Sequence, residues 1–211
     1  MISHDAARTV SWFSCGAASA VATKLTNPDV IAYCDTGAEH EDNQRFMKDC
    51  ENWFGQQITI LKSEKFKDTW DVWEKRRYIS GIAGAPCTSE LKITPRLAFQ
   101  RDDDLHIFGY TADAADTKRF EGMQEHWPDL NVAAPLIDRG ITKAACLSMI
   151  ETAGIKPPLT YALGFPNANC IPCCKATSPA YWALVRQHFP TEFNRMADLS
   201  RNLGARLARI D

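Results

Sequence analysis

The 211-residue chain lacks any apolar run of about 18 residues, the length that a membrane-spanning helix requires. Its opening segment contains His4, Asp5 and Arg8 and has no apolar centre, so it does not read as a secretory leader. No charge sign dominates. Lysine and arginine total 24 against 26 aspartates and glutamates, a formal net charge of -2, and no block of basic residues marks a face for a polyanion. Internal repeats and low-complexity linkers are absent, and the five histidines show no metal-ligand spacing. What remains is a soluble, cytoplasmic protein with no membrane attachment. At this length it is most simply one domain, large enough for a central sheet covered on both faces.

Cysteine, by contrast, is abundant. The eight fall at positions 15, 34, 50, 87, 146, 170, 173 and 174. In a reducing compartment, clustered cysteines hold metal or carry out redox chemistry more often than they form structural disulfides. Cys50 and Cys146 sit within helical patterns and read as core, which leaves Cys170-Ile-Pro-Cys173-Cys174 as the sharpest chemical signal.

Glycine is scarce where a nucleotide fingerprint would need it. Thr9–Phe13 reads as a buried strand, residues 14–18 form a loop of small residues, and a helical pattern follows with Ser19 as its expected N-cap. The loop has only Gly16 where a dinucleotide motif needs three glycines, and no Gly-Lys-Ser/Thr follows to make a Walker loop. A helix that starts directly after a strand still aims free amide N–H groups and a positive dipole end at one spot. Gly16, Ala17 and Ala18 let an anion approach the backbone, and the hydroxyls of Ser14 and Ser19 can add two hydrogen bonds. The competing explanation is that small residues merely ease the turn from strand to helix.

Further strands are expected at 29–34, 58–61, 105–111 and 131–137, with Pro135 making the last an edge strand or marking a strand end. Helices are expected at 42–54, 68–78, 89–101 with a kink or start at Pro95, and 112–126. This alternation predicts an α/β fold with a doubly wound, mostly parallel sheet. Ligands of such sheets bind beyond the carboxyl ends of the strands, here the loops after Phe13, Cys34 and Tyr110. Residues 1–140 form the expected core, and 141–211 a helical C-terminal cap of the same domain, with helices at 179–188 and 191–208 and a solvated basic tail.

Four segments taken together resemble the phosphoadenylyl sulfate (PAPS) reductase family, within the PP-loop ATP pyrophosphatase and adenine nucleotide alpha hydrolase superfamily. Ser14-Cys-Gly-Ala-Ala-Ser19 is similar to the PP-loop, and Asp35-Thr36-Gly37-Ala-Glu39 to the segment after the second strand. Cys87-Thr-Ser-Glu-Leu-Lys92-Ile-Thr-Pro95 resembles the family's cysteine, lysine and proline stretch, and Gly109–Asp113 through Lys118-Arg119 a divergent copy of its arginine motif. The resemblance implies an adenine nucleotide alpha hydrolase-like fold binding PAPS, adenosine phosphosulfate (APS) or ATP. Ser14, Gly16, Ala17, Ser19, Asp35, Thr36 and Gly37 would contact the nucleotide, and Lys92 and Arg119 would neutralise charge on the transferred anion.

Two departures shape that expectation. Ala18 stands where ATP-cleaving members carry a loop aspartate, which removes a potential Mg2+ ligand and tilts the reading toward sulfonucleotide reduction; Asp35, Glu39 or Glu41 could still supply a metal ligand. The tail Leu207–Asp211 lacks the cysteine that reductases use as nucleophile, so Cys15, Cys34 or a thiol donor protein must supply the thiolate. By the same analogy, Cys87, Cys170, Cys173 and Cys174 would bind a [4Fe-4S] cluster, with zinc, or unligated and redox-active thiols, as the alternatives. The function expected is oxidoreductase chemistry of sulfur metabolism, with an electron-donor partner and a homodimer compatible with it. ATP-dependent thiolation of tRNA or DNA, and a non-catalytic nucleotide or sulfate sensor, are the other two readings.

Overall fold

Val10, Ser11, Trp12 and Phe13 are buried on successive positions of one short strand, so neither face of that strand meets water. The strand, β1 (Thr9–Phe13), is central in a five-stranded sheet of order β3-β2-β1-β4-β5, completed by β2 (Val30–Cys34), β3 (Ile58–Leu61), β4 (Leu105–Ile107) and β5 (Val132–Ala133). The pairs β1–β2, β1–β4 and β4–β5 are all parallel, with Val10 opposite Val30 on one side and His106 on the other. The computed structural model describes residues 8–208; His4, Asp5, Arg209 at the end of the expected basic tail, and the two residues after it lie outside them.

The α/β reading is borne out by this sheet and its flanking helices. The helices in the first half of the chain are α1 (Ala17–Thr26), α2 (Asp42–Phe54) and α3 (Thr69–Arg76). Next come α4 (Pro86–Thr88), a π-helical segment (Ser89–Ile93) and α5 (Thr94–Phe99). Then follow α6 (Ala114–His126), α7 (Pro135–Asp138), α8 (Lys143–Thr152), α9 (Leu159–Ala162), α10 (Pro179–His188) and α11 (Pro190–Leu203).

The described chain forms two compact units that are discontinuous in sequence. The first comprises the residues up to Tyr33 with Gln44–Ile60 and Gln100–Pro157; the second comprises Cys34–Asn43, Leu61–Phe99 and the residues from Pro158 onward. In the first, α1 packs against β1, α7 and α8. Phe13 lies on Phe46 and edge-on to Phe54, and within the sheet Trp12 Nε1 donates to His106 Nδ1 at 2.9 Å. Arg8 makes a two-point ion pair with Asp104 at 2.8 and 2.6 Å, and the Asp104 side chain is wholly buried.

The second unit is built on an aromatic core. Trp70 and Trp73 meet edge to face, 5.0 Å between ring centres, and pack with Phe165, Trp182, Val185 and Met196. Both tryptophans are buried core residues.

Three local differences from the sequence reading have physical causes. The helix expected from Ser89 begins at Pro86 and widens into the π segment just before Pro95, where Thr94 N bonds back to Ser89 O. Proline lacks the N–H that the regular ladder needs, and the wider turn absorbs that loss. Pro135 ends β5 early and opens α7 at its first turn, the position proline tolerates best. The C-terminal helix stops at Leu203, with Gly204 in the left-handed region at φ 67°. Ala205, Leu207 and Ala208 pack back on the aromatic core instead of continuing a solvated helix.

Candidate functional site

In the sheet order, β1 lies between β2 and β4, so the chain runs outward one way through β2 and β3 and then returns to the other side of β1. That reversal places the topological switch point at the carboxyl ends of β1 and β4, where such sheets bind ligands. The two loops that leave those ends are residues 14–16 and 108–113, both in the first unit.

The β1 loop is tighter than its sequence suggested. Cys15 takes a left-handed backbone (φ 56°), and Gly16, extended at φ -111° and ψ 160°, is the N-cap of α1. Ser19 is therefore not the N-cap but a residue of the helix's first turn. Its hydroxyl donates to Gly16 O at 3.0 Å and accepts from Ser14 N and Ser14 Oγ, each at 3.1 Å. The two hydroxyls expected to reach an anion thus brace the loop instead, with Gly16 N also donating to Ser19 Oγ at 3.4 Å. The first intrahelical bond is Ala20 N to Gly16 O at 3.0 Å, so the earlier amides lie outside the helix's own ladder. A non-glycine residue held at positive φ costs about 1 kcal/mol, a strain that proteins retain mainly at functional turns.

Gly109, just beyond β4, fixes the other wall. A β-carbon there would sit 2.6 Å from both Ser19 N and Ser19 Cα, so the β4 loop lies directly on the backbone of the α1 N-terminus. Farther along, Asp113 accepts from Thr111 Oγ1 and from Lys143 N, both at 2.8 Å, tying the loop to the start of α8. Arg119 is exposed, paired with Asp116 at 2.8 Å and lying 5.5 Å from the centre of the Tyr110 ring; Lys118 is exposed beside it. Cys15 is fully buried.

The remaining candidates belong to the second unit. Asp35 Oδ1 accepts from Gly37 N at 2.9 Å, and its other oxygen pairs with Lys62 at 3.0 Å. Gly37 is left-handed at φ 63°, and a β-carbon would lie 2.9 Å from Lys67 O and from Asp68 Cβ, so only glycine fits this turn. The buried Thr36 hydroxyl touches Cys170 Sγ at 3.1 Å, and Cys170 Sγ donates toward Glu39 Oε1 at 3.7 Å. Burial and the Glu39 carboxylate push the Cys170 thiol up to about 12. Burial likewise pushes Cys34, whose thiol donates to Lys92 O at 3.6 Å, up to about 11. Lys92 is an exposed residue whose ammonium is crowded by neighbouring side chains; that crowding disfavours the charge, but Cys170, Glu39, Cys34 and Cys173 outweigh it, and the ammonium's pKa is raised.

The four cysteines expected at one metal do not gather at one point. Cys87 Sγ and Cys174 Sγ are in contact at 3.6 Å, whereas Cys170 turns to Thr36 and Glu39. Among the described residues no group of three or more His, Cys, Asp or Glu side chains is placed to hold a metal ion. In this arrangement the thiols do not fit a four-thiolate cluster or zinc site, and none of the chemistry below is routed through one. Sequence reasoning also missed Tyr181, whose hydroxyl accepts from Cys173 N at 2.6 Å and reaches Cys170 O at 3.4 Å. It clamps both ends of the Cys-x-x-Cys turn from one turn into α10. Nothing in its local sequence separates it from an ordinary core tyrosine.

Among the described residues no helix is long and apolar enough to cross a membrane. No family model matches the sequence, and no curated protein matches it. A solved structure of PAPS reductase from Candida auris, in complex with phosphate, is similar in fold, with a TM-score of 0.57 at 11% identity. The match covers 77% of this chain and 81% of that one.

Proposed function

We propose that this protein is an adenine-nucleotide-binding enzyme of sulfur chemistry that acts on a sulfonucleotide such as PAPS or APS. The observation that carries the reading is the strained Cys15–Gly16 turn at the sheet's switch point, in a fold like that of a PAPS reductase. The turn presents backbone amides and the positive end of a 10-residue helix to one place, which suits a phosphate or sulfate group. Arg119, on the helix that follows the β4 loop, is the cation we assign to the same anion; its pairing with Asp116 is exposed and weak enough to exchange for a ligand. Asp35, Thr36 and Gly37 hold the turn after β2 through contacts within their own unit.

Reducing a sulfonyl group to sulfite needs two electrons and a thiolate. Cys15 is buried out of a substrate's reach, and Cys34, pushed up to about 11, offers no thiolate at neutral pH in this conformation. A dithiol donor therefore belongs to the reading. The missing loop carboxylate at Ala18 supports this chemistry over ATP cleavage.

Calorimetric titration with PAPS, APS and ATP, followed by a sulfite-release assay with a dithiol, tests the reading. Tight sulfonucleotide binding that weakens in Arg119→Ala, with sulfite produced, is the expected result. Pyrophosphate release from ATP that depends on a polynucleotide would replace it with a thiolation enzyme. Nucleotide binding with no turnover would replace it with a sensor.

A further inference from the structure

Outside the nucleotide loop, the second unit places two thiols in direct contact. Cys87 and Cys174 are 87 residues apart in sequence, and their sulfurs approach to 3.6 Å. A disulfide bond is about 2.0 Å long, so the two need close by only about 1.6 Å, within the reach of side-chain rotation. Their exposure is unequal. Cys174 is buried in the aromatic core, at 3% exposure, whereas Cys87 is only partly covered and open to a reagent. A second, independent feature marks the spot. Trp73 is completely buried, and its indole N–H has no conventional acceptor among the described residues. A buried donor left in that state is costly, and an anionic sulfur beside it would remove the cost.

From this geometry we propose that Cys87 and Cys174 form a reversible dithiol–disulfide site, with Cys87 as the attacking sulfur, Cys174 as the resolving one and Trp73 as the donor that positions Cys87. The partner class is a disulfide, either a small one such as oxidised glutathione or a protein disulfide. Cys87 thiolate attacks one partner sulfur, forming a mixed disulfide and expelling a thiolate. That thiolate takes the proton of Cys174, whose sulfur then attacks Cys87 Sγ and expels the second partner thiolate. Two thiols of this chain are oxidised and one partner disulfide is reduced to two thiols; a dithiol reverses the sequence.

The surroundings support the order of attack. Cys174 and the Trp73 N–H both face Cys87 Sγ, and Cys87 is the half-covered sulfur of the pair, so a partner disulfide reaches it first. The carbonyl of Cys174 also accepts from Ser80 Oγ at 2.9 Å, which fixes the backbone from which the resolving sulfur projects.

The experiment equilibrates the full chain, without nucleotide, in glutathione buffers of graded redox ratio. It quenches with acid and maps the modified cysteines by mass spectrometry. A Cys87–Cys174 cross-link is expected as the first disulfide, reversed by dithiothreitol. Cys174→Ala should accumulate the mixed disulfide with glutathione on Cys87, and Cys87→Ala should leave Cys174 unmodified. In Trp73→Phe, with folding checked by circular dichroism, the alkylation rate of Cys87 at neutral pH should fall by at least about three-fold.

A Cys170–Cys173 disulfide forming first, while Cys87 and Cys174 stay free, would overturn the proposal. So would thiols that react only after a bound metal is removed. If the variants fail to fold, the order of disulfide formation in the unaltered chain still decides. Because no nucleotide is present, failure here is separate from failure of the sulfonucleotide reading.

Discussion

Cys87 and Cys34 carry the same thiol in the same compact unit, and their neighbours move them in opposite directions. The Cys174 hydrogen bond lowers Cys87 to about 6, while burial raises Cys34 to about 11. A thiol titrates to its reactive form as pH rises through its pKa, so alkylation of Cys87 should climb near pH 6 and level off by neutrality. Cys34 should stay nearly inert until strongly alkaline pH. Residue-resolved iodoacetamide kinetics across pH measure both, and equal profiles centred near 8.5, the ordinary thiol value, would contradict the assignment.

Asp104 gives a second test at this scale. Its carboxyl is desolvated, but the Arg8 guanidinium and the Arg101 amide outweigh that burial and hold its pKa below the usual range. A carboxyl whose folded pKa is depressed stabilises the protein above its unfolded pKa, and the contribution disappears as pH falls through the folded value. Asp104→Ala should therefore cost about 2–4 kcal/mol at neutral pH by urea unfolding, and much less in strong acid.

Among the elements, the N-terminus of α1 is set by a neighbour distant in sequence. A β-carbon at residue 109 would sit 2.6 Å from Ser19 backbone atoms that cannot move without unwinding the helix start. Gly109→Ala should cost about 1–3 kcal/mol and weaken nucleotide binding more than it lowers stability. A Gly122→Ala control, on a helix position where a methyl meets nothing within 4 Å, should leave binding unchanged. Helix α3 offers an independent check of local reasoning. Asp68 caps it by accepting from Asp71 N at 2.8 Å, and Asp68→Ala should lower the unfolding free energy by about 1 kcal/mol.

Several element boundaries were legible because the signal was local. The helix 42–54 and the strand 58–61 begin and end where periodicity places them. The start of α1 was not. Serine at position 19 is a good N-cap by type, but the left-handed Cys15 and the extended Gly16 begin the helix three residues earlier. Backbone conformation at a strained turn leaves no mark in side-chain chemistry. Pro95 announced a disturbance in its helix, yet the π segment that absorbs it depends on hydrogen-bond geometry that the sequence does not display.

For the molecule as a whole, charge is the property with the widest reach. With a net charge of -2 and no basic block, the chain has little long-range attraction for a polyanion. A labelled tRNA or duplex should give no anisotropy change at physiological salt under conditions where a sulfonucleotide binds. Saturable polynucleotide binding there would favour the thiolation reading.

The alternation of strands and helices, the small-residue turn after β1 and the crowding of cysteines near residue 170 were all written in the sequence. Each depends on periodicity, residue size or spacing along the chain. The tertiary structure alone decided which sulfurs meet. The shared Cys-x-x-Cys spacing pointed to one site, but Cys170 turns to Thr36 and Glu39 while Cys174 meets Cys87 beside a buried indole. Contacts of this kind span 87 to 134 residues and are fixed by how the aromatic core packs, a property of many side chains together that no local pattern records.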